Sequence, residues 1–186
     1  MSVPVQQAIL GRRSIRSFRT DPVTESQLET LTRAALASPS AMDRQPWQFH
    51  FVVNPQVIGQ LSDAAYDTFR AQGQQDIIER MASRGAANLF YGAPLVVVIS
   101  VPANQPSPHD AGIAAQTLAL AAQGLGLGSC IIAMAGAAFS GEQAAACRQA
   151  LSMADDRVFG LAVAIGTSAA GKDAHPVHPE KIIWVR

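Results

Sequence analysis

The chain of 186 residues is 48% hydrophobic and 15% charged, enough to bury one substantial core but short for two, so a single domain over residues 1–186 is expected. Fourteen basic residues balance fourteen acidic ones, which leaves no overall field to hold the protein on nucleic acid or an anionic membrane; any phosphate must be gripped locally. Cys130 and Cys147 match no CxxC or zinc spacing, and His50, His109, His175 and His178 form no HExxH pattern, which argues against a metal site or a disulfide framework.

The opening MSVPVQQAILGRRS lacks the basic-then-apolar order and the small-residue cleavage site of a secretory signal, so the expected compartment is the cytoplasm. Val3 to Leu10 places Val5, Ile9 and Leu10 on roughly one helical face, with Gly11 as the stop. Thr24–Gln27 reads TESQ, a capping box, and Leu28, Leu31, Ala35 and Leu36 continue at helical spacing until the polar loop SPSAMDRQPW. Gln48 to Val53 alternates as a half-buried strand does, and Asn54-Pro55 suits the start of a helix through about Phe69. A further polar helix is expected from about Gln74 to Phe90. Pro94 to Val101 is a continuous β-branched run, the mark of a central strand covered on both faces.

No charge occurs from Ala111 through Gly141, a reach long enough to cross a bilayer, yet Gln116, Gln123 and three glycines divide it into two elements of a soluble interior. Ala111 to Gln123 predicts a helix without a polar face, which must be covered all round. A second copy of the chain could cover it, or it could thread the chain's own core. SCIIAMA reads as a short strand, SGEQ (Ser140–Gln143) as a second capping box before a helix through Leu151, Arg157 to Ile165 as a core strand, and the terminal KIIWVR as strand-like. Helices and strands without strict βαβ alternation indicate an α+β fold with helices around a mixed sheet.

Arg12, Arg13, Ser14 and Arg16 follow the first helix. A guanidinium fork suits a phosphate dianion through paired charge-assisted hydrogen bonds, although a basic run by itself is often only a solvated surface. No second basic segment or aromatic ladder accompanies it, so nucleic acid is not the expected ligand.

The segment RRSIRSF resembles the opening motif of the nitroreductase family, and three further segments resemble that family in the same order: ASPSAMDRQPWQF, Gly92-Ala-Pro-Leu-Val-Val-Val, and DAGIAAQTLALAAQGLGLGSC. The resemblance spans nearly the whole chain. It implies an intertwined homodimer with a mostly antiparallel central sheet, binding FMN at the interface and passing electrons from NADH or NADPH to a small acceptor such as a nitroaromatic or quinone by a ping-pong mechanism. Related alternatives are reductive dehalogenation, enone reduction, or flavin binding without turnover. Carried over by motif position, Arg12, Arg13, Ser14 and Arg16 would hold the phosphate and the pyrimidine side of the flavin. Pro39, Ser40, Ala41, Asp43 and Gln45 would come from the second subunit, and the backbone of Ile132 and Ala133 would lie against the ring. Asp43 and Thr117 stand where the family often has Asn. The family's C-terminal Lys/Arg pair is replaced here by a segment offering Lys172, His175 and His178, of which Lys172 and His175 are the expected phosphate contacts. No acid–base or nucleophilic residue is expected, because a flavin carries the difficult chemistry. Trp47 reads first as a packing anchor for its loop, and Met42 equally as a gap filler or a substrate contact.

Overall fold

The computed structural model describes residues 4–86 and 88–186. Among the described residues six α-helices are formed: α1 (Val5–Gly11), α2 (Glu25–Leu36), α3 (Pro55–Ala71), α4 (Gln75–Ser83), α5 (Pro108–Gly124) and α6 (Ala144–Ala150). Four strands, β1 (Gln48–Val52), β2 (Leu95–Pro102), β3 (Gly128–Ile132) and β4 (Arg157–Gly166), make one sheet in the order β1-β2-β4-β3. Every neighbouring pair is antiparallel, and the parallel component expected of a mixed sheet is confined to a bridge between Ser14 and Ser129.

The β2 run explains the layering. Successive side chains point to opposite faces, so Val96 and Val98 join the cluster that packs under α3, with Ile58, Leu61, Ala65 and Phe69. Leu95, Val97 and Ile99 face the other way, against Leu31 and Ala35 of α2 and Ala111, Ala115 and Leu118 of α5. The sheet is thus covered on both faces, as the β-branched composition of β2 predicts. At the bulge between Ile99 and Ser100 the facing position is Gly160, where a Cβ would sit 3.1 Å from the Ile99 carbonyl oxygen. A bare backbone is what lets the two inner strands stay paired there.

Local signals hold at two of the three helix starts expected from capping chemistry. Thr24 and Gln27 form both hydrogen bonds of a capping box, and Asn54 caps α3 by accepting from the Gln56 amide, with Pro55 in the first turn. The SGEQ segment does not cap α6. That helix begins at Ala144, the Ser140 hydroxyl donates to Ala137 O, and the Gln143 side chain reaches Asp67 instead, because a 3₁₀ stretch, Ala133–Phe139, occupies the preceding residues. That same stretch shortens the expected SCIIAMA strand to end at Ile132.

Two further expectations are corrected, and a third falls outside the described residues. The expected start of the first helix at Val3 lies outside the described residues, and α1 is described from Val5. The segment expected to be helical as far as Phe90 stops at Ser83, since Gly85 takes φ +65°, and Leu89 and Phe90 turn inward as buried side chains. The tail forms a 3₁₀ turn at Pro179–Lys181 and no strand within the chain, leaving Ile183, Trp184 and Val185 85%, 78% and 94% exposed.

Helix α5 is covered on one side only. Ala111, Ala114, Ala115, Leu118, Ala119 and Ala122 are buried, whereas Ile113 and Gln116 are exposed and Thr117 and Leu120 half-buried. Both sides are apolar enough to be buried, so composition could not tell which side the chain itself covers. The Ala111–Gly141 reach does divide into a helix and a strand, and among the described residues no helix is long and apolar enough to cross a membrane.

Candidate functional site

The arginine segment is a backbone ribbon laid along the β3 edge. Ile15 N donates to Ser129 O at 2.9 Å, Arg19 N to Thr167 O at 2.9 Å, and Ala169 N back to Ser17 O at 2.9 Å. Ile15 and Phe18 are buried anchors, and between them the segment holds Arg16 and Ser17. Close approach of the ribbon requires Gly128, where a Cβ would come 2.8 Å from Ile15 Cγ1 and collide with the Ser168 hydroxyl.

Two adjoining recesses open beside this ribbon. One, of about 400 Å³, is lined by Arg12, Arg13, Ser14, Lys172, Asp173 and His175. The other, of about 320 Å³, is lined by Ser14, Arg16, Ser17, Arg84, Gly171 and Lys172. Ser14 and Lys172 belong to both. A larger recess of about 510 Å³ lies elsewhere, among Pro22, Val23, Val53, Ile58 and Pro94, and carries no cation.

Electrostatics single out the basic pair of recesses. Burial pushes the Cys130 thiol up, and Arg16, Lys172, Arg12 and Arg84 all pull it the other way, so these four cations lie within electrostatic reach of one buried group. The ion pairs among the described residues are Arg19–Asp21, Arg33–Glu29, Arg70–Asp67 and His178–Glu180; none engages Arg12, Arg13, Arg16, Arg84 or Lys172. The Nε atoms of Arg13 and Arg16 are buried without an acceptor. An unmet buried donor costs about 1–3 kcal/mol, a debt that an anionic ligand with several oxygens would settle. The residues present therefore fit a phosphate-bearing cofactor. Arg13 has a second task, since its Nη1 donates to Leu10 O at 2.6 Å and Arg12 O at 2.9 Å, holding the end of α1. Of the two C-terminal histidines, His175 faces the recess while His178 pairs with Glu180 at 2.9 Å.

Ile132 and Ala133 lie at the far end of β3 from Gly128. Three residues of strand separate Ser129, beside Ser14, from Ile132, about 10 Å. One edge of the sheet thus runs from the cations to this strand end. Ile132 is buried and Ala133 exposed.

The loop Pro39–Gln45 is elsewhere. It leads into β1, the opposite edge of the sheet, about 14 Å away across three strand spacings. Its tie to α5 is at the helix start, where Ala41 N donates to Asp110 Oδ1 at 3.0 Å, while Gly11 approaches Gln123 near the helix end. With 17 residues, α5 is about 25 Å long. One chain does not bring the two groups of residues together.

The loop is itself strained and tightly bonded. Met42, Asp43 and Gln45 all have positive φ, at 55°, 52° and 47°, a conformation uncommon outside glycine. Ser40 Oγ accepts from Gln45 N at 2.8 Å, and Asp43 Oδ1 accepts from Gln45 Nε2 at 2.9 Å. The Ser107 hydroxyl and the Ala41 amide both bond the Asp110 carboxylate and hold its pKa low. Trp47 is buried with its ring 5.0 Å from that of Phe49, as a packing anchor should be. Met42 is 84% exposed and fills no gap within the chain.

Sequence reasoning missed three contributors. Arg84 lay in a stretch read only as a polar helix, and nothing local marks it. Asp110 opens the DAGIAAQ segment without a role of its own, although Ser107 three residues before it is a capping signal. The Arg157–Ser100–His50 network, described below, joins three strands and has no local trace.

Comparison with known proteins agrees with this geometry. A family model described as "Nitroreductase family" matches residues 9–167. The chain is 46% identical over 59 residues (32% of this chain, 29% of the other) to an NADH dehydrogenase of Thermus thermophilus. It is 29% identical over 130 residues (67% of this chain, 58% of the other) to a protein of Methanothermobacter thermautotrophicus named as an NADH dehydrogenase/NAD(P)H nitroreductase. The chain thus spans less than two thirds of the length of these relatives. Among solved structures, a nitroreductase with bound FMN from Desulfitobacterium hafniense superimposes with a TM-score of 0.93 at 30% identity, each chain covered in full. A match that runs from the arginine ribbon through the last strand of the sheet makes the conclusion direct: the chain belongs to the nitroreductase family.

Proposed function

We propose that this protein is a single-domain, cytoplasmic, FMN-dependent oxidoreductase that works as a homodimer and passes electrons from NADH or NADPH to a small acceptor. The observation that carries the reading is the group of cations without carboxylate partners around Ser14, two of them with buried Nε atoms that lack acceptors. Its support from outside the chain is the FMN bound in the similar Desulfitobacterium hafniense structure.

In this reading Arg12, Arg13 and Ser14, with Lys172 and His175, hold the phosphate, and Arg16 faces the pyrimidine side. FMN, when bound, supplies the two-electron chemistry that no side chain here can perform. Arg16 would stabilise negative charge gathering at that edge, as a fixed guanidinium does without reorganisation. The backbone at Ile132 and Ala133 would line the ring. Pro39, Ser40, Ala41, Asp43 and Gln45 would arrive from a second copy, which explains why one chain keeps them at the opposite edge. The rigid hydrogen bonding of that loop would present its backbone without further ordering cost.

Magnitudes favour a two-chain site. Three ionic hydrogen bonds to phosphate contribute roughly 5–9 kcal/mol at about 1.5–3 each. Micromolar affinity needs roughly 8 kcal/mol after association costs of several more. An apolar crevice closed by a second subunit would supply the difference. Surface is available for that contact in Ile113 and Leu120 on α5, Val5, Ile9 and Leu10 on α1, and the apolar tail.

The test is direct. Purified protein should be yellow, and anaerobic NADH or NADPH should bleach it within a manual assay. Colour without bleaching would reduce the reading to flavin binding, and colourless protein that cannot be reconstituted with FMN would end it.

A further inference from the structure

We infer that Arg84 is a specificity residue that selects acceptors carrying a carboxylate or comparable anion, an inference that rests on the flavin reading above. Arg84 caps α4 at the turn that leaves it, its amide bonding Met81 O at 3.2 Å, and the buried Met81 side chain fixes that turn to the core. Arg84 thus lines the smaller recess from a segment unrelated to the arginine ribbon and the tail. Arg84, Arg16 and Lys172 line this recess with Ser14 and Ser17, and no carboxylate lines it.

A charge count separates Arg84 from the cofactor cradle. A phosphate monoester carries about 1.5–2 negative charges near neutral pH, which Arg12, Arg13 and Lys172, offset by Asp173 at the same larger recess, already match. Arg16 serves the pyrimidine edge in the reading above. Arg84 is left over, an exposed residue lining the smaller recess and within electrostatic reach of the buried Cys130. A surplus rim cation acts on binding and encounter of charged ligands rather than on the bond changes that follow. A planar carboxylate offers Arg84 a bidentate partner, and a neutral acceptor of the same shape gains nothing there.

The experiment compares wild type, R84A and R84K in three measurements: FMN content, steady-state kinetics with 4-nitrobenzoate against 4-nitrobenzyl alcohol, and calorimetric titration with benzoate, which needs no turnover. Expected for R84A are full FMN content, a five- to tenfold fall in kcat/KM for 4-nitrobenzoate carried by KM, and little change for the alcohol. Benzoate binding should weaken by a similar factor, and R84K should recover part of both. Equal effects on the two acceptors, an effect confined to NADPH, or loss of FMN from R84A would overturn the assignment. Failure of the flavin reading is distinguishable, because it appears in wild type as absent colour, whereas the benzoate titration reports the anion subsite in either case.

Discussion

The Nη2 of Arg157 and the carbonyl oxygen of Pro46 lie 2.5 Å apart across a sequence separation of 111 residues. The same guanidinium donates from Nε to Ser100 Oγ at 2.9 Å and from Nη2 to Ser100 O at 2.8 Å. Since Ser100 Oγ accepts from Arg157, its hydroxyl proton is free to donate to His50 Nε2 at 3.0 Å, and His50 Nδ1–H then donates to Leu151 O at 2.9 Å. One chain of donors ties three strands to the end of the strained loop.

Arg157→Met keeps the stem and removes the three guanidinium hydrogen bonds. It should destabilise the protein by about 2–4 kcal/mol, because Pro46 O and Ser100 lose their partners together. The measurement is the urea midpoint, with the slope unchanged. Flavin content should fall as well, through loosening of the loop that Pro46 closes.

His50 makes stability depend on pH. Burial, opposed by the Leu151 bond and aided by Arg157, lowers its pKa from 6.5, so the folded protein holds the neutral ring. As pH falls below 6.5 the unfolded chain takes up the proton first, so this contribution is complete above that value and is lost progressively below it. Urea midpoints measured between about pH 5 and 7.5 should decline on the acid side for wild type and less for His50→Gln. Parallel curves for the two proteins would refute it.

How far all this was legible from sequence varied with the range of the interaction. The Thr24–Gln27 box, the Asn54-Pro55 start and the doubly buried β2 depend on neighbours a few residues away, and their periodicity or capping chemistry was enough. Arg12, Arg13, Ser14 and Arg16 are expected from a motif, and Lys172 and His175 as stand-ins for a C-terminal pair that is absent here; the fold gathers all six at two recesses. Arg84 and the Arg157 network could not be read, since each is defined by contacts made only after distant segments fold together. The β-branched residues of the tail favour a strand, yet a strand needs a partner, and the described residues of this chain offer it none.

Gly128→Ala tests the seating of the arginine ribbon. The added methyl must displace Ile15 and the Ser168 hydroxyl, overpacking that should cost about 1–3 kcal/mol. FMN affinity should drop more than stability alone explains, because Ser14 and Arg16 flank the displaced residue. Equilibrium flavin titration alongside thermal melting separates the two effects.

Removing residues 179–186 takes away Ile182 to Val185, an exposed apolar stretch that a second copy would cover. The shortened chain should shift from dimer toward monomer by light scattering and lose its flavin in the same step. A truncated protein that stays dimeric and yellow would count against a role for the tail in pairing.

The arginine ribbon and the Pro39–Gln45 loop, held on opposite edges of one sheet, carry an implication for inheritance of damage within a pair. In the proposed pair each crevice would draw one wall from either subunit, so a lesion in one chain would be felt in two different ways at two different places. Subunits crippled in the ribbon and subunits crippled in the loop would be inert apart, yet when mixed they would assemble hybrids with one crevice spoiled on both walls and the other wholly sound.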